Sequence, residues 1–92
     1  MSVFPEDILR QAETLLGLCR SRNLKIATAE SCTGGLIIGA MTEIAGSSDV
    51  IDRGFITYSN EAKETMLGVG AETLARVGAV SKETAIAMVE GA

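Results

Sequence analysis

The sequence predicts a layered α/β/α domain, with helices packed on a central sheet, and three observations carry that prediction. Apolar residues at three- and four-residue steps alternate along the chain with short β-branched runs, the order expected of α/β layering. Hydrophobic residues make up 47% of the 92 residues and aromatics only 3%, so the core must be built from Ala, Val, Ile, Leu and Met, which suits helices lying close on a sheet. A run of small residues, Ser31-Cys32-Thr33-Gly34-Gly35, separates a strand-like segment from a helix-like one.

The elements follow in order. Pro5 suits the first turn of a helix in which Ile8, Ala12, Leu15, Leu16 and Cys19 form one apolar stripe over roughly four to five turns. Arg20 and Arg22 fall in its last turn, where cations suit the dipole, and Asn23 reads as its stop. Leu24 to Ala29 reads as a strand, with Leu24, Ile26 and Thr28 on one face and Lys25 and Ala27 on the other. Leu36 to Met41 resumes as a helix that is apolar nearly all round, which predicts burial. Ala45 to Ser48 is loop; Val50 and Ile51 lead into a second strand, Gly54 to Tyr58. Asn60 is the expected N-cap of a third helix that Gly68 ends. A short turn of helix, Ala71 to Val77, ends at Gly78, and Ser81 caps a last helix with Ala85, Ile86, Met88 and Val89 as its apolar face.

A chain of this length is one domain at most, spanning residues 1–92. Two strands are too few for a stable sheet, and the last helix stops without polar punctuation. Both features predict that the chain is part of a larger domain, incomplete at its C-terminus, or that it pairs with another subunit. A homo-oligomer is expected on the same grounds, helped by the apolar second helix.

Composition excludes several functions. The net charge of −4 is spread along the chain with no basic patch, which argues against nucleic acid as a partner. No apolar run approaches the length of a membrane span, and the N-terminus lacks the pattern of a signal peptide. Two cysteines make no disulfide framework, so a reduced, cytoplasmic protein is expected. The chain has no histidine, which removes Ser-His-Asp and Cys-His catalysis and most zinc sites unless another chain supplies the imidazole. Glu30, Asp49 and Asp52 are not spaced as metal ligands, and no metal or cofactor is expected.

Candidate chemistry concentrates in Glu30-Ser31-Cys32-Thr33-Gly34-Gly35, at a strand end where α/β sheets bind ligands. The following helix offers unpaired N–H groups, and the glycines let a substrate approach the backbone. Spacing alone leaves three readings open: a helix cap with a tight turn, a phosphate-binding turn, or a nucleophile elbow with an oxyanion hole. Cys32 ranks below Ser31 as nucleophile because its usual histidine base is missing, and Cys19 belongs to the core. A second strand-to-helix junction, Tyr58-Ser59-Asn60-Glu61-Ala62-Lys63, shares the rim if the strands are parallel neighbours. Lys63 then reads either as a base for Ser31, a task that requires the neutral amine, or as a solvated surface lysine. Tyr58 reads as a core aromatic or a group that contacts substrate. Arg53 reads as a surface ion pair or an anion contact.

Several separate motifs agree in order with one family: Thr28 to Gly35, Ile44-Ala45-Gly46-Ser47-Ser48, Arg53 to Lys63, Leu67-Gly68-Val69, and Gly78-Ala79-Val80-Ser81. Together they resemble the C-terminal domain family of competence/damage-inducible protein CinA, over most of the chain from Leu24 to Ala92. The resemblance implies a nicotinamide-nucleotide amidohydrolase (NMN deamidase) that turns nicotinamide mononucleotide into nicotinic acid mononucleotide and ammonia, in pyridine-nucleotide salvage. It implies a metal-free Ser/Lys mechanism, with Ser31 attacking and Lys63 taking the proton. Backbone N–H groups from Cys32 to Gly34 would hold the oxyanion, and Glu30, Gly35, Thr33, Tyr58 and Asn60 would complete the substrate-binding set. A further family motif, resembling Ser-Gly-Ile-Ala-Gly-Pro, has no counterpart here, and the chain resembles the stand-alone type without a preceding nucleotide-binding domain. Two other functions remain to be weighed: a non-catalytic nucleotide-binding or assembly module of the same fold, and a hydrolase for another amide.

Overall fold

The structure is a computed structural model and describes residues 2–92. Helix α1 (Glu6–Ser21) leads to β1 (Ile26–Glu30), α2 (Leu36–Thr42), a short 3-10 turn at Ser47–Asp49 and β2 (Ile51–Ile56). Helices α3 (Asn60–Leu67), α4 (Ala71–Val77) and α5 (Lys82–Gly91) follow. The two strands pair in parallel, with α2 as the crossover between them.

Local chemistry explains the element ends. Pro5 is the N-cap of α1, and Glu6 and Asp7 lie against the positive end of its dipole. Asn23 adopts positive φ (57°) after α1, a conformation Asn tolerates better than most residues, so the expected stop holds. Gly68 and Gly78, also at positive φ, end α3 and α4 as expected. The cap of α3 differs from expectation: the Ser59 side chain, not that of Asn60, accepts the Ala62 N–H, and Asn60 is the first helical residue. Serine and asparagine cap about equally well, so where β2 ends decides between them. Ser81 caps α5 through Thr84 N–H, as expected.

Strand boundaries also move. The first strand begins at Ile26 because the Leu24 N–H turns back to the Cys19 carbonyl at 2.9 Å. The second strand starts at Ile51, earlier than expected, and leaves Thr57 and Tyr58 beyond its end. Pairing runs Ile26↔Ile51 and then Ala27↔Arg53, so Asp52 is one extra residue in β2. That irregularity shifts the side-chain alternation by one. It puts Ile51 and Gly54 on the same side of the sheet, against Leu16, Cys19 and Val50 at one end and Ile38 of α2 at the other.

The two faces of the sheet carry separate cores. Leu16, Cys19 and Val50, with Ile26, Ile44 and Ile51, pack under α1. Ala29 and Phe55 face the opposite way and pack on Leu67, Val69, Leu74 and Met88 of the α3–α5 side. The layered α/β arrangement expected from the sequence is therefore present around a small parallel sheet.

Two helices are less buried than their composition predicts. Leu36 is 62% exposed and Ile37 is half exposed, and only Ala40 and Met41 of α2 are buried. An apolar groove of about 690 Å³ lies between these residues and Phe4, Ile8 and Leu15. On α5 the buried side chains are Thr84 and Met88, while Ile86 and Val89 face outward. Apolar content predicts that a face is buried against something, and the described residues cover only part of each face.

Two glycines make opposite predictions. A Cβ on Gly54 would sit 2.6 Å from both Ile38 Cδ1 and Thr28 Oγ1, whereas one on Gly17 in the middle of α1 would meet nothing within 4 Å. Gly54→Ala is expected to destabilise by about 1–3 kcal/mol through overpacking. Gly17→Ala is expected to stabilise by about 0.5–1 kcal/mol through helix propensity. Urea unfolding of the two variants should move the midpoint in opposite directions; a shift of the same sign in both would contradict the packing described.

Candidate active site

Parallel pairing brings both strand ends to one rim. The Thr57 N–H donates to the Glu30 carbonyl at 2.8 Å, extending the ladder just past β2 and setting Ser31 beside Thr57 and Tyr58. From there the two chains diverge into different turns.

The Ser31 turn is built on glycine. Gly34 and Gly35 both take positive φ (61° and 97°), which L side chains rarely adopt. A Cβ on Gly35 would also lie 2.7 Å from Ile56 Cδ1. The Gly34 N–H closes on the Ser31 carbonyl at 3.0 Å, and the Leu36 N–H on the Thr33 carbonyl at 3.1 Å. Gly34, expected among the oxyanion donors, thus has its N–H committed within the turn. Among the described residues the N–H groups of Cys32 and Thr33 make no such backbone bond.

Lys63 lies on the first turn of α3, and its side chain reaches inward. The residue is 1% exposed. Its Nζ bonds the Thr57 carbonyl at 2.8 Å, the Tyr58 carbonyl at 2.9 Å and Ser31 Oγ at 2.9 Å. The solvated-lysine reading is therefore excluded. Among the described residues no carboxylate lies within ion-pair distance of this amine. Nζ donates in all three bonds, which matches the three N–H donors of a lysine ammonium; an amine that had lost one proton would keep two donors for the carbonyls and turn its lone pair to the Ser31 hydroxyl. Ser31 Oγ also lies 3.5 Å from the Tyr58 carbonyl, a longer alternative acceptor for its proton.

Glu30 is 2% exposed and faces α2. Its Oε1 accepts from Thr33 Oγ1 at 2.7 Å and Ile37 N–H at 3.0 Å, and its Oε2 accepts from Ile38 N–H at 3.0 Å. Burial pushes this carboxyl up, but the bonds from Thr33, Ile38, Ile37 and Gly35 outweigh it and hold the group below its ordinary value. The N-cap residue of α2, Gly35, offers no side chain, so Glu30 supplies the cap from the end of the preceding strand. The phosphate-binding reading loses its donors here, because the α2 amides of Ile37 and Ile38 are occupied.

The remaining candidates scatter around this centre. Cys32 is exposed. Tyr58 contributes its carbonyl to Lys63 while its ring stands 74% exposed at the rim, so it is not a core aromatic. The Asn60 side chain is exposed at the start of α3. Arg53 pairs with Asp52, and Asp49 with Arg20, away from the Ser31 turn. Among the described residues no three His, Cys, Asp or Glu side chains gather as metal ligands, and no helix is long and apolar enough to cross a membrane. Sequence reasoning missed Thr57, which grips Lys63 through a main-chain carbonyl that no residue-type pattern reports. The apolar groove on α1 and α2 holds none of these residues.

Known proteins resemble this chain in sequence and fold. The family model for the CinA C-terminal domain matches residues 9–92. A nicotinamide-nucleotide amidohydrolase, PncC of Escherichia coli K12, is 46% identical over 86 residues, covering 94% of this chain and 52% of that protein. A CinA-like protein of Chloroherpeton thalassium is 62% identical over 74 residues, covering 80% of this chain and 18% of that protein. The crystal structure of competence/damage inducible protein CihA from Agrobacterium tumefaciens superposes with a TM-score of 0.97 at 59% identity, covering 100% of this chain and 56% of that one. The chain thus spans about half of the shorter relatives and under a fifth of the longer one.

The Glu30 cap carries a pH signature. With its folded value held below the ordinary one, Glu30 adds stability that is present above the unfolded-state pKa and lost as pH falls through the folded value. Urea midpoints taken from about pH 7 down to about pH 3 should fall more steeply for the wild type than for Glu30→Gln. Parallel slopes would show that this carboxylate contributes nothing to the acid transition.

Proposed function

The chain belongs to the CinA C-terminal domain family, and on that premise we propose that it is a serine amidohydrolase converting nicotinamide mononucleotide to nicotinic acid mononucleotide and ammonia. The observation that carries the proposal is the 2.9 Å bond between Lys63 Nζ and Ser31 Oγ, with the amine's other bonds taken by the Thr57 and Tyr58 carbonyls. A nucleophile and its base are within hydrogen-bond reach without histidine. The name of the Escherichia coli relative, a nicotinamide-nucleotide amidohydrolase, supports a nicotinamide nucleotide as the substrate class.

The steps follow from this geometry. Ser31 Oγ bonds to the carboxamide carbon while its proton passes to Lys63 Nζ. The oxyanion that forms takes hydrogen bonds from the Cys32 and Thr33 N–H groups. The carbon–nitrogen bond then breaks, and ammonia leaves with the proton from Lys63. Water attacks the resulting ester, Lys63 takes the water's proton and returns it to Ser31 Oγ, and the carboxylate product departs. The exposed Tyr58 ring and the Asn60 side chain at the same rim suit contacts to the pyridine and ribose. The work takes place in the cytoplasm, in a homo-oligomer, and requires no metal or cofactor.

The test is ammonia release from nicotinamide mononucleotide by the full chain. Ser31→Ala and Lys63→Met are each expected to lower kcat by about a thousandfold or more, with non-additive loss in the double variant. Methionine fills the lysine's volume without its amine, and circular dichroism of the variant checks that the fold is retained. Undiminished ammonia release by Ser31→Ala would sink the mechanism. Nucleotide binding without turnover in the wild type, indifferent to Lys63→Met, would identify a non-catalytic binding module instead.

A further inference from the structure

We propose that Glu30 is a positioning residue for Ser31: its carboxylate closes the Ser31–Gly35 turn onto the first turn of α2 and so fixes the Ser31 hydroxyl against the Lys63 amine. The proposal deepens the amidohydrolase reading and rests on it. It replaces the sequence expectation that Glu30 contacts substrate.

Three observations carry it. First, every polar atom of the Glu30 side chain is engaged inside the protein, on Thr33 Oγ1 and on the Ile37 and Ile38 N–H groups, and the residue is 2% exposed. A substrate has no free carboxylate edge to meet. Second, the bonds span the whole nucleophile turn. Thr33 lies inside the turn and Ile37 and Ile38 lie beyond it, so the carboxylate clamps both sides of two glycines at positive φ. Glycines leave that segment with more backbone freedom than other residues would, and Gly35 provides no side-chain cap of its own. Third, Glu30 holds the base as well. Its main-chain carbonyl accepts the Thr57 N–H at 2.8 Å, and the Thr57 carbonyl in turn accepts Lys63 Nζ at 2.8 Å. One residue therefore sets the nucleophile turn through its side chain and the base through its backbone. A displacement of about 1 Å between reacting groups costs on the order of a hundredfold in rate.

The experiment compares full-chain wild type, Glu30→Asp and Glu30→Gln by two readouts. One is kcat and KM for ammonia release from nicotinamide mononucleotide. The other is the rate at which a fluorophosphonate labels Ser31, read as the mass increase of the peptide that carries it, and it needs no assumption about the natural substrate. Glu30→Gln presents an amide NH₂ where three N–H or O–H donors point. It is expected to lower kcat and the labelling rate together, by about 10- to 100-fold, with KM within about twofold. Glu30→Asp keeps an acceptor-only group on a shorter arm and is expected to fall between wild type and Glu30→Gln. If Glu30→Gln does not fold, Glu30→Asp against wild type gives the same comparison. A raised KM with an unchanged labelling rate would overturn the proposal in favour of substrate contact. Unchanged kcat and labelling alongside a lowered melting temperature would reduce Glu30 to a structural cap. Ser31 labelling that falls in Glu30→Gln while the wild type releases no ammonia would leave the positioning role standing and remove the deamidase reading.

Discussion

Parallel pairing of β1 with β2 is the constraint from which the rest of the candidate site follows. Antiparallel strands would put one strand's C-terminal end beside the other's beginning, and the two strand-to-helix turns would lie at opposite ends of the sheet. In the parallel arrangement Glu30 pairs with Ile56, the ladder continues to the Thr57 N–H, and both turns leave from one rim. The crossover helix α2 makes this pairing possible, since parallel neighbours need a connection that runs back along the sheet. The extra residue at Asp52 adjusts the alternation so that Gly54, not a larger residue, faces Ile38 of that helix.

The rim then has to accommodate a buried lysine. Burying this side chain costs rotamer entropy, and an amine removed from water without partners would cost several kcal/mol more. The chain meets the second cost with main-chain oxygens. Just beyond β2, the Thr57 and Tyr58 carbonyls no longer belong to the sheet ladder and both turn to Nζ. Carbonyls accept a proton bond without carrying a full negative charge. Among the described residues no carboxylate stands within ion-pair distance of Nζ, so its partners are the two carbonyls and the Ser31 hydroxyl alone.

Much of this was legible in the sequence, for local reasons. Positive-φ stops at Gly68 and Gly78, the serine cap at Ser81 and the glycine pair at Gly34-Gly35 act through their immediate neighbours, and residue type reports them directly. The placement of Lys63 next to a junction like that of Ser31 was also legible, since sequence order and strand direction fix it. What sequence could not supply was tertiary or main-chain in origin. Ser59 and Asn60 are both good caps, and strand length chose between them. Thr57 acts on Lys63 through a carbonyl that every residue type carries. The apolar residues of α2 and α5 announced that those faces meet something, but not that Leu36, Ile37, Ile86 and Val89 remain open within residues 2–92. Those faces stay open among the described residues, and the chain spans about half of the solved relative from Agrobacterium tumefaciens.

The same glycine-rich turn could have served a different chemistry, and Glu30 decides against it. A strand, a glycine-rich turn and a helix are the parts of a phosphate-binding loop, in which the first helical N–H groups point at an anion. Here those N–H groups already point at an anion that the chain itself provides. The Glu30 carboxylate occupies the Ile37 and Ile38 amides and the Thr33 hydroxyl, and against the upward push of burial these bonds hold it below its ordinary value. An incoming phosphate would have to displace a buried carboxylate with three good bonds and would meet its negative charge. The donors left over are the Cys32 and Thr33 amides next to Ser31, which the proposed mechanism assigns to a charge that develops on an atom bonded to the serine. An internal carboxylate thereby fills the anion seat of a motif otherwise suited to holding phosphate.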